Sequence, residues 1–109
     1  MSQVVKDSVN NKMNGRQLKK AIALLEVLAN ETRINILETI QDNEPVCVTD
    51  IYGKLHMEQS ITSQQLKILR QYDFVSTTRN SRTIYYSINK KKLLTVQKAI
   101  EILQKSSKE

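Results

Sequence analysis

Residues 59–88 read QSITSQQLKILRQYDFVSTTRNSRTIYYSI, and the periodicity of this stretch changes halfway along it. The first half predicts a helix, because Ile61, Leu66, Ile68 and Leu69 fall mostly on one side of a helical repeat. The opposite side is polar, and the side chains expected to face outward from it are Ser60, Thr62, Ser63, Gln64, Gln65 and Lys67. Hydrogen-bonding side chains of this size can contact the edges of nucleic-acid bases.

The second half of the stretch predicts a β-hairpin. Residues 75–79 and 83–88 are rich in β-branched and aromatic side chains, and a polar tip of Asn80, Ser81 and Arg82 joins them. A glutamine-bearing helix followed at once by a hairpin with arginine at its tip predicts a winged helix-turn-helix. In that arrangement the helix enters the major groove of DNA and the hairpin lies beside the backbone or the minor groove.

The size and charge of the chain fit this interpretation. Its 109 residues suffice for one domain with a modest core. Lys and Arg number 17 against 11 Asp and Glu, for a formal net charge of +6 and a pI near 9.6. This balance favours a polyanionic partner. A solvated basic surface without such a partner is the alternative that charge alone leaves open.

No feature of the sequence indicates a membrane. No apolar run approaches the roughly 20 residues of a membrane span, and the first residues, MSQVVKDSVNNK, lack the apolar core of a secretion signal. We therefore expect a cytoplasmic protein with no membrane partner. The only cysteine, Cys47, has no second cysteine for an intrachain disulfide, which agrees with a reducing compartment.

The chain divides into one long domain and two short ends. Residues 1–15 hold no sustained helical stripe and finish in a cluster of breaker residues, so we expect a flexible N-terminal arm. Residues 16–106 form the predicted domain and residues 107–109 a C-terminal tail. The expected fold class is mainly α with a small β-hairpin, in the order α-α-α-α-β-β-α.

Capping residues locate two of the helices. Asn30 is the expected N-cap of the second helix, because its side chain can accept an amide hydrogen bond, and Ile34, Leu37 and Ile40 are the expected buried face. Asn89 is the corresponding N-cap of the last helix.

The helix before the glutamine-bearing one is short. Residues 46–48 are expected to be extended, and Thr49 is expected to cap a third helix over residues 50–56. This helix, the turn after it and the helix at residue 59 make the helix-turn-helix itself.

The first and last helices carry broad apolar stripes. A domain of this size cannot easily bury both stripes on itself, which indicates a partner surface and a homodimer. The residues expected at that interface are Leu18, Ile22, Leu25, Val96, Ile100 and Leu103. The alternative is that both stripes belong to the core of a single chain.

Three runs together resemble the ArsR/SmtB family of bacterial transcriptional repressors. They are LLEVLANETRINILETI, then VCVTDIYGKL, then residues 59–88, and a C-terminal helix follows them. Their order, spacing and content match the family pattern from residue 24 to about residue 88. The resemblance implies a homodimer built by the first and last helices, which binds an inverted-repeat operator in double-stranded DNA until a signal weakens the complex. The inducer is not indicated by the sequence.

The chain departs from this family at the sensing site. Metal-sensing members carry a CVC motif, in which Cys47 matches the first cysteine but Thr49 replaces the second, and a threonine hydroxyl is a poor ligand for a soft metal ion. The family's other site uses carboxylate and histidine ligands on the last helix, where this chain has no histidine and only Glu101 and Glu109. We therefore expect no metal site and no cofactor, and a structural or solvent-facing role for His56.

The sequence allows two interpretations of Cys47. It is either a small buried hydrophobe between two valines or a thiol sensor that acts through sulfenic acid, a mixed adduct or a bond between subunits. Enzymatic chemistry is not expected, because the sequence holds no paired-carboxylate, phosphate-loop, Ser/His/Asp or Cys/His constellation.

The expected DNA contacts follow from side-chain chemistry. Gln64 and Gln65 are the predicted base readers, because a glutamine amide both donates to and accepts from adenine. Ser60, Thr62 and Ser63 are expected at phosphates or thymine methyl groups, Lys67 lies farther along the helix, Arg79 is expected at phosphate and Arg82 in the minor groove. For the glutamines and arginines the alternative is a solvated surface.

The sequence alone is also compatible with two other functions. One is a winged-helix module that binds another protein through the same basic face, and the other is a thiol-responsive repressor that acts through Cys47. Sequence-blind DNA binding that salt abolishes would indicate the first.

Overall fold

The computed structural model describes the backbone of residues 14–107 and the side chains of residues 14–105. Within this range the elements are α1 (Gly15–Leu28), α2 (Glu31–Asn43), β1 (Val46–Cys47), α3 (Val48–Leu55), α4 (Gln59–Gln71), β2 (Val75–Asn80), β3 (Thr83–Ile88) and α5 (Lys90–Ser107). The predicted winged helix-turn-helix is confirmed, and the order of its five helices and its hairpin is as predicted, with β1 as an additional element. No helix in the described part of the chain is long and apolar enough to cross a membrane.

The predicted hairpin is confirmed, and β1 adds a third strand to it. The strands are antiparallel in the order β1-β3-β2, with Val46 opposite Tyr86 and Val75 opposite Ile88. The turn between β2 and β3 has only two central residues, since Asn80 is opposite Thr83. This short turn places a positive φ at its first central position, which is Ser81 with φ 62°.

Asparagine side chains begin three of the helices. The predicted N-caps are confirmed, since Asn30 accepts from the Arg33 N–H at 3.0 Å and Asn89 accepts from the Lys92 N–H at 3.2 Å. Helix α1 begins with a capping box, in which Asn14 accepts from the Gln17 N–H at 2.8 Å. Of the predicted N-terminal arm, only Asn14 and Gly15 are described, and they start α1; of the predicted tail, only residue 107 is described, and it ends α5.

The prediction that Thr49 caps α3 is wrong. Helix α3 begins at Val48, Cys47 occupies the N-cap position without a side-chain hydrogen bond, and Thr49 lies inside the first turn. The reason is the pairing of β1, which holds the chain extended only as far as Cys47, opposite Tyr85.

One core joins every helix to the sheet. Its buried side chains include Ile36, Leu37 and Ile40 of α2. Phe74, which lies between α4 and β2 in the chain, is 0% exposed and belongs to the same core. The prediction that Ile34 is buried is wrong, since this side chain is 44% exposed. Helix α2 is rotated so that Ile36 faces the core in its place.

Candidate nucleic-acid interface

A tight turn sets the direction of α4. His56 ends α3 in the left-handed region with φ 54°, and the Met57 N–H donates to the Tyr52 carbonyl oxygen at 3.0 Å. Glu58 then occupies the N-cap position of α4 without making a side-chain cap hydrogen bond. The first amides of α4 are therefore open to an anion such as phosphate. His56 is exposed, as expected for a solvent-facing residue.

Helix α4 packs its inward face against the core through Thr62, Leu66 and Leu69, which recur at helical spacing. The prediction that Thr62 faces outward to contact DNA is wrong. Its side chain is 0% exposed, and its hydroxyl donates to the Glu58 carbonyl oxygen at 2.9 Å. A threonine fits this position because its hydroxyl is satisfied by its own helix.

The outward face of α4 carries most of the DNA-contacting residues that were predicted on this helix. Four of the predicted side chains are exposed along it: Ser60, Ser63, Gln64 and Lys67. Ile61 joins them at 42% exposed, although its apolar side chain predicted an inward position. An exposed isoleucine among polar groups can contact the methyl group of thymine.

Gln65 lies at the edge between the two faces and is half-buried. Its Oε1 accepts a hydrogen bond from the Arg33 Nε–H at 2.9 Å. Sequence reasoning missed Arg33, although a signal was present. Arg33 continues the stripe of Ile36, Leu37 and Ile40 toward the start of α2, which places its guanidinium at the border of the core.

The hairpin of β2 and β3, which is the wing of this fold, presents both predicted arginines. Arg79 lies near the end of β2, opposite Ile84, and Arg82 lies in the turn, and both side chains are exposed. With Lys67 on α4 they are three exposed cations carried by α4 and the hairpin. Three exposed cations on two neighbouring elements can contact successive phosphates of one strand.

The candidate sensing residues do not form a ligand set. Cys47 is half-buried, and Thr49 is exposed. In the described residues no group of three or more His, Cys, Asp or Glu side chains lies close enough together to hold a metal ion.

The residues predicted for dimerisation separate into two groups. Leu18, Ile22 and Ile100 are 37%, 50% and 37% exposed, and Leu25 and Leu103 are half-buried. Val96 is only 3% exposed, so its predicted place at a dimer interface is wrong, because it packs in the core of its own chain.

Leu94, which belongs to the broad apolar stripe of α5, is 58% exposed. Side chains of α1 and α5 line an open cleft of about 390 Å³, in which Ala21 and Leu24 are apolar and Lys20, Lys92 and Lys98 are basic.

Comparisons with known proteins agree with this geometry. The family model described as bacterial regulatory protein, arsR family, matches residues 30–77. The chain is 35% identical to the transcriptional activator HlyU of Vibrio cholerae over 86 residues, which are 79% of this chain and 76% of HlyU. It is 34% identical to the HTH-type transcriptional regulator NmtR of Mycobacterium tuberculosis over 70% of this chain, and spans 62% of NmtR.

Solved structures show the same architecture. Reduced HlyU from Vibrio cholerae superposes with a TM-score of 0.65 at 31% identity, covering 75% of this chain and 86% of HlyU. NolR from Sinorhizobium fredii superposes with a TM-score of 0.68 at 28% identity, covering 84% of this chain and 94% of NolR.

Proposed function

Because this chain belongs to the arsR family of bacterial regulatory proteins, we propose that it is a transcriptional repressor that binds an inverted-repeat DNA operator as a homodimer. Membership of the family makes the protein a DNA-binding regulator and not an enzyme. The operator, the dimer and the direction of regulation are the proposal.

The observation that carries the proposal is the exposed surface of α4 and of the hairpin that follows it in the chain. The exposed face of α4 bears Ser60, Ser63, Gln64 and Lys67, and the neighbouring hairpin bears Arg79 and Arg82. Short polar groups at the start of a helix suit phosphate and base edges, whereas flanking arginines suit the backbone and the minor groove. In this proposal Gln64 reads a base, the serines and Lys67 fix the helix in the groove, and the wing holds the adjacent strand.

Dimerisation supplies the second half of the mechanism. Leu18 and Ile22 on α1 and Leu94 and Ile100 on α5 are large apolar side chains that one chain leaves exposed. A second copy of the chain covers such a surface in the proposed dimer. Two recognition helices related by a two-fold axis then lie about 34 to 36 Å apart, which is one turn of DNA, so the operator is an inverted repeat.

We further propose that the signal is not a metal ion bound at the family's cysteine motif. The exposed hydroxyl of Thr49 stands where a thiolate is needed, and Cys47 has no companion ligand set among the described residues.

A binding measurement tests the proposed function. An operator is selected from random duplex DNA with the full chain, and its affinity is measured by fluorescence anisotropy from low to high salt. We expect the selected site to be an inverted repeat that binds at least about a thousandfold more tightly than a scrambled duplex. If Lys67, Arg79 and Arg82 of both subunits contact phosphates, the slope of log K against log salt is about −5. Weak binding that is blind to sequence and abolished by salt would contradict the proposal and favour a basic protein-interaction module.

A further inference from the structure

One guanidinium group connects three helices. Arg33 lies in the first turn of α2, and its Nε–H donates to Gln65 Oε1 on α4 at 2.9 Å. Its Nη1 donates to the carbonyl oxygen of Val27 on α1 at 3.1 Å. Both Arg33 and Gln65 are half-buried, so water competes poorly for these two hydrogen bonds.

The contact fixes the orientation of the Gln65 amide. A guanidinium group has only hydrogen-bond donors, so the amide atom that meets it has to be the oxygen. The Gln65 Nε2 group is therefore directed away from Arg33 with its two N–H donors. Because the donor is charged, the bond is stronger than a bond between neutral groups, and a rotation of the amide by half a turn would lose it.

The neighbouring glutamine has no such constraint. Gln64 is exposed, and its amide makes no hydrogen bond to any other described residue. It keeps both its donor and its acceptor for the pair of hydrogen bonds that a glutamine amide forms with adenine N6 and N7. Two adjacent residues of identical chemistry thus differ in what they can offer to a base.

We propose that Arg33 is a specificity-determining residue, because it holds Gln65 as a reader that only donates hydrogen bonds. Adenine loses its advantage at the base that Gln65 contacts, since the amide oxygen already accepts from the Arg33 guanidinium and is held toward it. Guanine is favoured there, because O6 and N7 present two adjacent acceptors in the major groove, and cytosine is disfavoured, because it presents a donor. This inference rests on the proposed function and refines how the recognition helix discriminates between bases.

Two kinds of substitution separate the roles of the two side chains. Arg33→Met removes the donors and frees the amide oxygen, whereas Arg33→Lys keeps a charged group that also only donates. Gln65→Glu has nearly the same shape and keeps an oxygen for Arg33, but its other oxygen only accepts. Gln64→Glu is the matched control, because it introduces the same charge one residue away.

The experiment compares the base preferences of these proteins in a randomised operator library, after a thermal melt of each variant. Gln65→Ala first identifies the position where discrimination is lost. There we expect the wild type to prefer guanine over adenine, Arg33→Lys to retain this preference, and Arg33→Met to shift it about tenfold toward adenine. Gln65→Glu is expected to favour cytosine, whose N4 group donates. Gln64→Glu is expected to weaken binding while leaving the preference at this position unchanged.

The outcomes are distinguishable. If the wild type shows no base preference anywhere, the proposed function fails and the inference fails with it. If the wild type selects an operator but prefers adenine at the Gln65 position, or if a folded Arg33→Met variant keeps the guanine preference, the inference alone is overturned. Should Arg33→Met not fold, the Gln65→Glu variant decides, because an unchanged preference for guanine in that variant also overturns the inference.

Discussion

The Glu44 carboxylate accepts a hydrogen bond from the Ile88 backbone N–H, at 2.9 Å between Oε1 and N. Val46 is opposite Tyr86 in the β1–β3 ladder, and the same register continued by two residues brings Glu44 opposite Ile88. The Glu44 side chain thus adds a hydrogen bond to β3 beyond the point where the backbone of β1 stops pairing with it. This bond links the end of β3 to the segment that follows α2.

Replacing this carboxylate is expected to cost stability. Glu44→Ala leaves a largely buried amide at Ile88 without this acceptor, so the free energy of unfolding should fall by about 1.5 kcal/mol. Chemical denaturation monitored by circular dichroism measures the change. Glu38→Ala is the control, because Glu38 is an exposed residue of α2, and it should change stability by less than about 0.5 kcal/mol. Equal effects of the two substitutions would show that the contact contributes nothing.

Dimerisation is tested at Ile22, which is 50% exposed on α1. Ile22→Asp should yield a folded monomer in sedimentation experiments, because the dimer would bury an unpaired carboxylate in each subunit. Operator affinity should then fall about a hundredfold or more, since each half-site is bound independently. Ile34→Asp is a matched control, because Ile34 is 44% exposed but lies on α2, and it should remain dimeric. A variant at Ile22 that sediments like the wild type would place the interface elsewhere.

The wing is tested by its salt dependence. Arg82→Ala should weaken operator binding and make the slope of log K against log salt less steep by about one unit for each subunit, because one cation leaves the backbone. Lys105→Ala removes the same charge from the last turn of α5, a helix that packs against α1, and should leave the slope unchanged. The hairpin would have no part in DNA binding if both substitutions altered the slope equally.

The expectation that operator binding does not depend on a metal ion can be tested directly. Equilibrium dialysis against zinc or cadmium, with the reduced protein, should detect no tight binding at one ion per chain, and a chelator should leave operator affinity unchanged. The reason is the threonine at position 49, which cannot replace a thiolate ligand. Stoichiometric binding that disappears in Cys47→Ser would contradict this expectation.

The sequence predicted the fold well because its periodicity and its caps agree. The change from a helical stripe to β-rich runs after Phe74 located α4 and the hairpin, and Asn30 and Asn89 marked two helix starts that the structure confirms. The errors about which side chains of α2 and α4 face outward came from rotation about the helix axis. Ile34 and Ile61 are apolar but face outward, whereas Thr62 is polar but buried. Periodicity defines a stripe, and the neighbouring helices decide which edge of the stripe is covered.

Part of the candidate site depends on contacts between distant residues and was not predictable. The pairing of Arg33 with Gln65 joins positions 32 residues apart and required the packing of α2 against α4. Val96 was assigned to the dimer surface because the stripe of α5 is broad, and a stripe does not distinguish a chain's own core from a partner's surface. The exposed polar residues of α4 and the wing arginines needed only local spacing.

The base-reading role of α4 is tested most directly by the base preference of a Gln64→Ala variant in the selected operator. We expect discrimination to fall by about 1 to 3 kcal/mol at one position in each half-site, with adenine losing its advantage there and other positions unaffected. If the substitution weakens binding to every sequence equally, Gln64 does not read a base, and the account of how this helix recognises DNA is wrong.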